Sequence, residues 1–329
     1  MHNRRSIPVG VSFASTIPVT QLIDGYQRAE QCGFDELWVH EDYFYHGGFA
    51  AAATALKATE HIAVGIGIVS AMVRHPAVTA MEIATLAGAH PGRLRVGVGH
   101  GAPEWMRQLG LQQKSPLRAL REVLTSVQSL LRGETLTQTG LFHFDAVRLA
   151  YPVADVPLYT GVIGPKSLTL SGEIADGTVI SVMAGPKYVE QARQITDEAA
   201  TRAGRTRQHV LPTLSLCFID RRGADARRAA RASVAQMLAQ AGPDLLTQAY
   251  GIDEPLRGMI ARGGAATVEA EMPEEWIDWF AAAGEPDQCL ERIRALGRAG
   301  SSSVILALTD PATIHSSLDL LAVEVLQNL

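Results

Sequence analysis

Residues 40–46 combine acid–base groups and aromatic rings in one short segment, which reads HEDYFYH. Carboxylates and imidazoles can transfer protons near neutral pH, and aromatic rings stack on flat molecules. The segment therefore predicts a site that binds a flat, partly charged ring and moves a proton. The alternative is an exposed polar loop. A metal site is not indicated, because no third His or carboxylate ligand is identifiable nearby by spacing.

Two apolar runs carry glycines at alternate positions, GIGIV at 65–69 and GVGHG at 97–101. Glycine inside a strand adds no side chain to pack, so it favours backbone that approaches another surface closely. A flat ligand at the strand ends would provide that surface. The GxGxG spacing alone is weak evidence for a dinucleotide site, because it lacks the strand context and the acidic ribose reader of that motif.

A third segment, YTGVIGPKS at 159–167, passes from a predicted strand into a predicted helix. Free N–H groups at a helix N-terminus bind anions, and Lys166 and Ser167 can add donors. The segment predicts a phosphate site, with a plain tight turn as the alternative.

These segments lie within a regular alternation of strands and helices. Eight strands are predicted, at residues 7–13, 34–39, 62–69, 94–98, 156–160, 177–182, 210–219 and 303–308. This pattern predicts an α/β fold, a (β/α)8 TIM barrel formed by one domain over residues 1–329. Residues 135–149 favour a hairpin, and 221–280 a helical insertion between strands seven and eight. An open doubly wound sheet is the rival, disfavoured by the strand count and the lack of two halves.

Composition narrows the function classes. The 329 residues are 47% hydrophobic with a net charge of −5, which provides no attraction for nucleic acid. No signal peptide is visible, and no apolar run reaches the roughly 20 residues of a membrane span. Cys32, Cys217 and Cys289 are isolated, so neither disulfides nor zinc are indicated. We expect a cytoplasmic protein that acts on a small molecule.

Four segments together resemble a known superfamily. They are FDELWVHEDYF from Phe34, GIGIVSAMVRHPAVTAMEIATL from Gly65, GRLRVGVGHG from Gly92 and VPLYTGVIGPKSLTLSGEIADGTVI from Val156. The combination resembles the bacterial luciferase-like superfamily of flavin- and deazaflavin-dependent oxidoreductases. It is most similar to the coenzyme F420-dependent branch, which is typified by methylenetetrahydromethanopterin reductase.

The resemblance implies a cofactor, coenzyme F420 with FMN as the alternative, whose ring lies at the barrel mouth. It also implies a bulge in the third strand with a non-prolyl cis peptide at Gly67–Ile68, and a homodimer. The cofactor-binding residues it implies are Gly67, Ile68, Gly99, Gly101, Gly161, Gly164, Lys166 and Ser167. The substrate pocket it implies is lined by His40, Tyr43, Phe44 and Trp105.

The acid–base residue departs from the branch pattern. Many F420-dependent enzymes have Asp-His-Phe or Asp-His-Tyr where this chain has Glu41-Asp42-Tyr43. We therefore expect Asp42 to take the proton role with Glu41 orienting it. His40, His100 and Tyr43 are the alternatives, and His100 is included among the catalytic candidates.

The resemblance thus predicts an F420-dependent oxidoreductase that transfers a hydride between the deazaflavin C5 and a small organic substrate. One alternative is an FMN-dependent monooxygenase that uses O2 and reduced flavin from a separate reductase. Another is a non-catalytic flavin-binding barrel, which the acid–base groups at 40–46 disfavour.

Overall fold

The computed structural model describes residues 5–329, in which strands and helices alternate. The strands are β1 (Val9–Phe13), β2 (Glu36–Val39), β3 (Ala63–Ser70), β4 (Leu94–Gly99), β5 (Leu136–Thr139), β6 (His143–Val147), β7 (Leu158–Gly161), β8 (Gly177–Val179), β9 (Pro212–Ile219), β10 (Ala281–Gly284) and β11 (Ser303–Leu308). The helices are α1 (Val19–Gln31), α2 (Gly48–Ala58), α3 (Pro76–Ala89), α4 (Pro103–Gln108), α5 (Pro116–Leu131), α6 (Pro165–Ile174), α7 (Pro186–Arg202), α8 (Gly223–Ala241), α9 (Leu245–Gln248), α10 (Asp253–Glu271), α11 (Glu274–Phe280), α12 (Pro286–Arg298) and α13 (Ile314–Leu320). A π-helical turn (Leu321–Val325) and a 3-10 turn (Leu326–Asn328) follow α13.

Nine strands form one curled parallel sheet in the order β10-β9-β11-β1-β2-β3-β4-β7-β8. Isolated bridges also pair Gly177 with Val210 and Ile180 with Thr213, and so link β8 to the start of β9. The α/β class and all eight predicted strands are confirmed. The ninth strand, β10, was not predicted. Its sequence AAAG has no β-branched residue, and it forms by pairing with the second half of β9.

Residues 221–280 contain the helices α8, α9, α10 and α11, which precede β10. Helix α10 has a kink in its middle, where Gly264 has a φ of 63°. No helix in residues 5–329 has both the length and the apolar character needed to cross a bilayer.

Two apolar cores lie on opposite faces of the sheet. The larger core contains Leu37 and Val39 of β2 and packs the sheet against the helices. Trp38 points to the other face, where it stacks on Tyr159 of β7 with ring centroids 6.3 Å apart. Because β2 and β7 are not neighbours in the sheet, this contact can form only across its concave face.

The predicted hairpin is present as the antiparallel pair β5–β6. His75 connects the hairpin to the start of α3. Its ring lies 4.8 Å from that of Phe144 and 5.3 Å from that of Phe142, while its Nδ1 accepts from the Ala77 N–H at the start of α3. His75 therefore has a structural role.

Candidate functional site

The site residues predicted from the sequence lie at the carboxyl ends of neighbouring strands. In the order β1-β2-β3-β4-β7, these parallel strands end along one edge of the sheet, which we term the mouth. Residues 40–46 follow β2, Gly67 and Ile68 lie in the second half of β3, residues 99–101 close β4, and residues 161–167 lead from β7 into α6. Ligand sites of parallel α/β sheets lie at this end of the strands.

Glu41 is the central acceptor of the loop after β2, and its side chain is 1% exposed. Arg74 donates to both carboxylate oxygens, at 2.9 Å and 2.6 Å. Tyr43 Oη donates at 2.7 Å and the Gly48 N–H at 3.1 Å. Burial alone would raise the pKa of Glu41, but the hydrogen bonds of Arg74 and Tyr43, the Arg74 charge and the Gly48 N–H together lower it.

Asp42 has a different partner. The Ser15 hydroxyl, which follows β1, donates to Asp42 Oδ2 at 2.6 Å. The expectation that Glu41 orients Asp42 is therefore corrected. The four donors that reach Glu41 come from Arg74, Tyr43 and Gly48, whereas the side chain that holds Asp42 is Ser15.

The peptide bond between Gly67 and Ile68 is cis, as the resemblance implied. The register of β3 against β4 shifts between Ile66 and Val69, so the predicted bulge is also present. His40 Nδ1 lies 2.8 Å from the Gly67 carbonyl oxygen. Because a carbonyl oxygen can only accept, Nδ1 carries the proton in this contact. His40, expected in the substrate pocket, thus binds the main chain of β3.

The strand glycines make room for side chains of the protein itself. A Cβ at Gly99 or Gly161 would lie 2.7 Å or 2.5 Å from an atom of Ile68. A Cβ at Gly65 would lie 2.4 Å from the Trp38 indole. The close surface predicted from these glycines exists, but Ile68 and Trp38 supply it. The expectation that a flat ligand requires the glycines is therefore wrong at these positions.

The turn from β7 into α6 exposes main chain. Gly164 precedes the helix and Pro165 begins it, and within residues 5–329 no side chain caps the first-turn N–H groups. A Cβ at Gly164 would meet its nearest neighbours only at 4.0 Å. Lys166 is exposed next to these groups. Uncapped N–H groups with an adjacent cation form the kind of site that holds a phosphate.

His100 lies beside this turn. Its Nε2 is 3.4 Å from Ser167 Oγ, so the ends of β4 and β7 meet as predicted. Burial lowers the pKa of His100, and the ring is therefore neutral at pH 7. Gly101 follows with a φ of 77°, and a Cβ there would lie 2.9 Å from Met106.

Aromatic side chains from the loop after β2 and from α4 also lie at the mouth. Tyr43 meets Trp105 of α4 edge-on, with ring centroids 5.7 Å apart and an interplanar angle of 88°. Phe44 is next in sequence and is 66% exposed. Trp105 and Tyr43 are both half-buried, so a flat molecule could pack against them at the surface of the mouth.

A cavity of about 410 Å³ lies at the other end of the sheet. It is lined by the residues that lead into β7, by Asp176 before β8 and by Arg205 and Arg207 before β9. Because it is located at the amino ends of these strands, it is separate from the mouth.

A comparison with protein families finds that residues 7–303 match the model of the luciferase-like monooxygenases. The chain belongs to the luciferase-like monooxygenase family. The resemblance predicted from its four segments is thereby confirmed.

Three comparisons show how far the similarity to known proteins extends. The 5,10-methylenetetrahydromethanopterin reductase of Methanolobus tindarius is 31% identical over 303 residues, 90% of this chain and 92% of that protein. The F420-dependent glucose-6-phosphate dehydrogenase of Microbacterium testaceum is 34% identical over 205 residues, 58% of this chain and 61% of that protein. The structure of the coenzyme F420-dependent tetrahydromethanopterin reductase of Methanopyrus kandleri matches with a TM-score of 0.86 and 25% identity, covering 98% of this chain and 99% of the other.

Two residues at the mouth of this luciferase-like protein were not among the predicted site residues. Ser15 follows β1. A polar residue at the carboxyl end of a predicted strand is a site candidate by position, and Ser15 could have been recognised in this way. Arg74 lies within one of the quoted segments, but its partner Glu41 is 33 residues away in sequence. The pairing depends on which loops are neighbours in space.

Proposed function

We propose that this luciferase-like protein is an F420-dependent oxidoreductase that transfers a hydride between the deazaflavin C5 and a small organic substrate. The Methanopyrus and Microbacterium relatives are both named as F420-dependent. The observation that carries the proposal is the uncapped turn of Gly164 into α6, which lies beside His100 at the mouth. It offers free main-chain donors where a phosphate-bearing cofactor can be held.

The residues present fit such a cofactor. The N–H groups at the start of α6, with Lys166 and Ser167, would hold its phosphate, and the open main chain at Gly164 leaves space for close approach. The Ile68 side chain, with the main chain of Gly67, Gly99, Gly101 and Gly161 around it, would form the surface beneath its ring. When bound, the deazaflavin supplies the two-electron redox chemistry, and the protein supplies orientation and electrostatics.

Asp42 is the proton-transferring group we propose, and Ser15 is the residue that positions it. Glu41 is excluded from this role because both of its oxygens accept from Arg74 and its pKa is lowered. His100 remains the second candidate. Its ring is neutral at pH 7, so it can accept a proton from a group beside Ser167.

We propose a reduced pterin that carries a one-carbon unit as the substrate class, packed against Tyr43, Phe44 and Trp105. The Methanolobus relative, which matches 90% of this chain, is a reductase of 5,10-methylenetetrahydromethanopterin. The edge-on pair of Tyr43 and Trp105 suits a flat ring system.

We further propose that the curled sheet is a closed (β/α)8 barrel of one domain, with residues 221–280 as a helical insertion.

A homodimer is expected, and the half-exposed apolar side chains of Val78 and Met81 on α3 are a suitable contact surface. A Met81→Glu variant that keeps the wild-type molar mass by light scattering would argue against this surface.

The free thiols of Cys32, Cys217 and Cys289 support a cytoplasmic location.

Titration of the purified protein with F420 and, separately, with FMN tests the cofactor. We expect F420 fluorescence to report saturable binding and FMN to bind more weakly. Tight FMN binding with negligible F420 binding would instead favour an FMN-dependent monooxygenase supplied by a separate flavin reductase.

Oxidation of reduced F420 by methylenetetrahydromethanopterin then tests the reaction, with glucose 6-phosphate and oxidised F420 as the comparison. Loss of turnover in Asp42→Asn with F420 binding retained is the result expected for a proton-transferring residue.

A further inference from the structure

Arg74 connects three segments at the mouth. Its guanidinium, 21% exposed, binds both oxygens of the fully buried Glu41 after β2. Its Nε lies 3.2 Å from Glu82 of α3, and its charge lies 5.2 Å from the centre of the Phe49 ring in α2. A bidentate arginine fixes both the distance and the plane of its carboxylate partner.

Glu41 extends this connection to the aromatic pair. It accepts from the Tyr43 hydroxyl and from the Gly48 N–H in the first turn of α2. Tyr43 in turn meets Trp105 of α4 edge-on. The loops after β2, β3 and β4 are thus joined by a continuous set of contacts, Arg74 to Glu41 to Tyr43 to Trp105.

We propose that the Glu41–Arg74 ion pair is a positioning element that holds Tyr43 against Trp105 and so shapes the substrate side of the mouth. Neither residue is catalytic in this proposal, because each acts through the Tyr43 ring. The proposal rests on the function proposed above for its link to substrate, but the aromatic geometry exists without cofactor or substrate.

Hydrogen-bond geometry explains why an ion pair is used. The Tyr43 hydroxyl donates to a carboxylate, and such charge-assisted bonds are shorter and stronger than neutral ones. Without Arg74, the buried carboxylate would favour its neutral form, and the bond that orients Tyr43 would weaken. Arg74 therefore acts on Tyr43 through the Glu41 carboxylate, which accepts hydrogen bonds from both side chains.

The first test uses the protein without any ligand. Acrylamide quenching of Trp105 is obtained as the difference between each variant and the same variant carrying Trp105→Phe. We expect Arg74→Lys, Glu41→Gln and Tyr43→Phe to raise the quenching constant of Trp105 about twofold. In each variant the Tyr43 ring is no longer held edge-on against the half-buried Trp105 indole, which becomes more accessible to acrylamide. Glu104→Gln, which removes an exposed ion pair on the same helix as Trp105, is the matched control and should leave quenching unchanged.

A double variant separates positioning from stability. Glu41→Leu/Arg74→Met replaces the pair by apolar residues of similar volume, a change that is often neutral for folding. We expect its unfolding midpoint to stay near the wild-type value while Trp105 quenching rises as in the single variants. Wild-type quenching in this folded double variant and in Tyr43→Phe would overturn the proposal.

The second test uses F420 and methylenetetrahydromethanopterin. We expect Arg74→Lys to lower kcat/KM for the pterin by about 100-fold, the size of effect that a small misplacement produces. Its Kd for F420 should stay within twofold of wild type. A parallel loss of F420 affinity would contradict a role confined to the substrate side. If the protein did not use F420 at all, the proposed function would fail while the quenching experiment still decided this inference.

Discussion

The two sides of the mouth are built from different parts of the chain. The side formed after β2 and β3 depends on side chains, with Glu41, Tyr43 and Arg74 locked together in hydrogen bonds. The side formed by the end of β4 and by the turn from β7 into α6 depends on main chain, with Gly99 at a point of close approach and Gly164 in open space. We refer to these as the side-chain side and the main-chain side.

This difference suggests a division of function. Main-chain N–H groups at a helix start bind phosphates whatever the neighbouring side chains are, so the main-chain side suits a phosphate-bearing cofactor. Ion pairs and aromatic rings change with single substitutions, so the side-chain side suits a substrate that differs between relatives. The relatives named above act on a pterin and on a sugar phosphate, which agrees with this division.

Arg74→Ala should have the largest effect and tests the side-chain side. Removing Arg74 leaves the buried Glu41 carboxylate without its cation, which costs about 3 kcal/mol in the free energy of unfolding. Urea denaturation would measure the loss. Arg107→Ala breaks an exposed ion pair, which solvent screens, and should leave the free energy of unfolding nearly unchanged. Equal losses in the two variants would remove the distinction between a buried and a superficial pair.

Gly99→Ala should have the next largest effect and tests the main-chain side. Its Cβ would lie 2.6 Å from the Gly161 carbonyl oxygen, so backbone must move at about 1–3 kcal/mol. The matched control is Gly164→Ala, whose Cβ has free space and should change stability by less than about 0.5 kcal/mol. Thermal or urea unfolding compares the two, and a large loss in the control would mean that the turn before α6 is not open.

Lys166→Ala should have a smaller effect, on cofactor affinity alone. The exposed ammonium adds charge to the α6 N-terminus, and its loss should raise the Kd for F420 about tenfold. Lys57→Ala, at the exposed end of α2, should leave the Kd unchanged. The increase should shrink at high salt, because an exposed charge is screened. An unchanged Kd in Lys166→Ala would place the phosphate elsewhere.

The sequence predicted the main-chain side better than the side-chain side. The order of the strands and the turn at Gly164 are local patterns, since apolar runs and a glycine before Pro165 can be recognised within a few residues. The Gly67–Ile68 cis peptide came from the resemblance alone. The uncapped helix start was therefore predictable without knowledge of its neighbours.

Contacts between loops were not predictable in this way. Glu41 was expected to orient Asp42, its neighbour in sequence. Successive residues need not share partners, and Arg74 and Ser15 reach the two carboxylates from loops that follow other strands. The strand glycines show a related limit. Their pattern indicated a close surface correctly, but periodicity could not distinguish a ligand from the Ile68 side chain.

His100 provides the smallest expected effect and tests the charge of the main-chain side. Burial lowers its pKa below the ordinary 6.5, so the folded protein binds its proton less readily than the unfolded chain. The unfolded state then takes up more protons as the pH falls below 6.5, and the free energy of unfolding must fall with it. Burial also lowers the pKa of His209, to about 4, so His209 too makes the free energy of unfolding fall as the pH falls.

The contribution of His100 is therefore the difference between wild type and His100→Gln, measured by urea denaturation from pH 7 to pH 5. We expect the free energy of unfolding of the variant to fall less steeply with falling pH than that of the wild type. We also expect the His100 NMR signal of the wild type to titrate below pH 6.5. A titration above pH 6.5 would mean that an anion-binding edge already holds a charged imidazole. In that case His100, rather than Lys166 alone, would supply positive charge beside Ser167, and the main-chain side would also depend on a side chain.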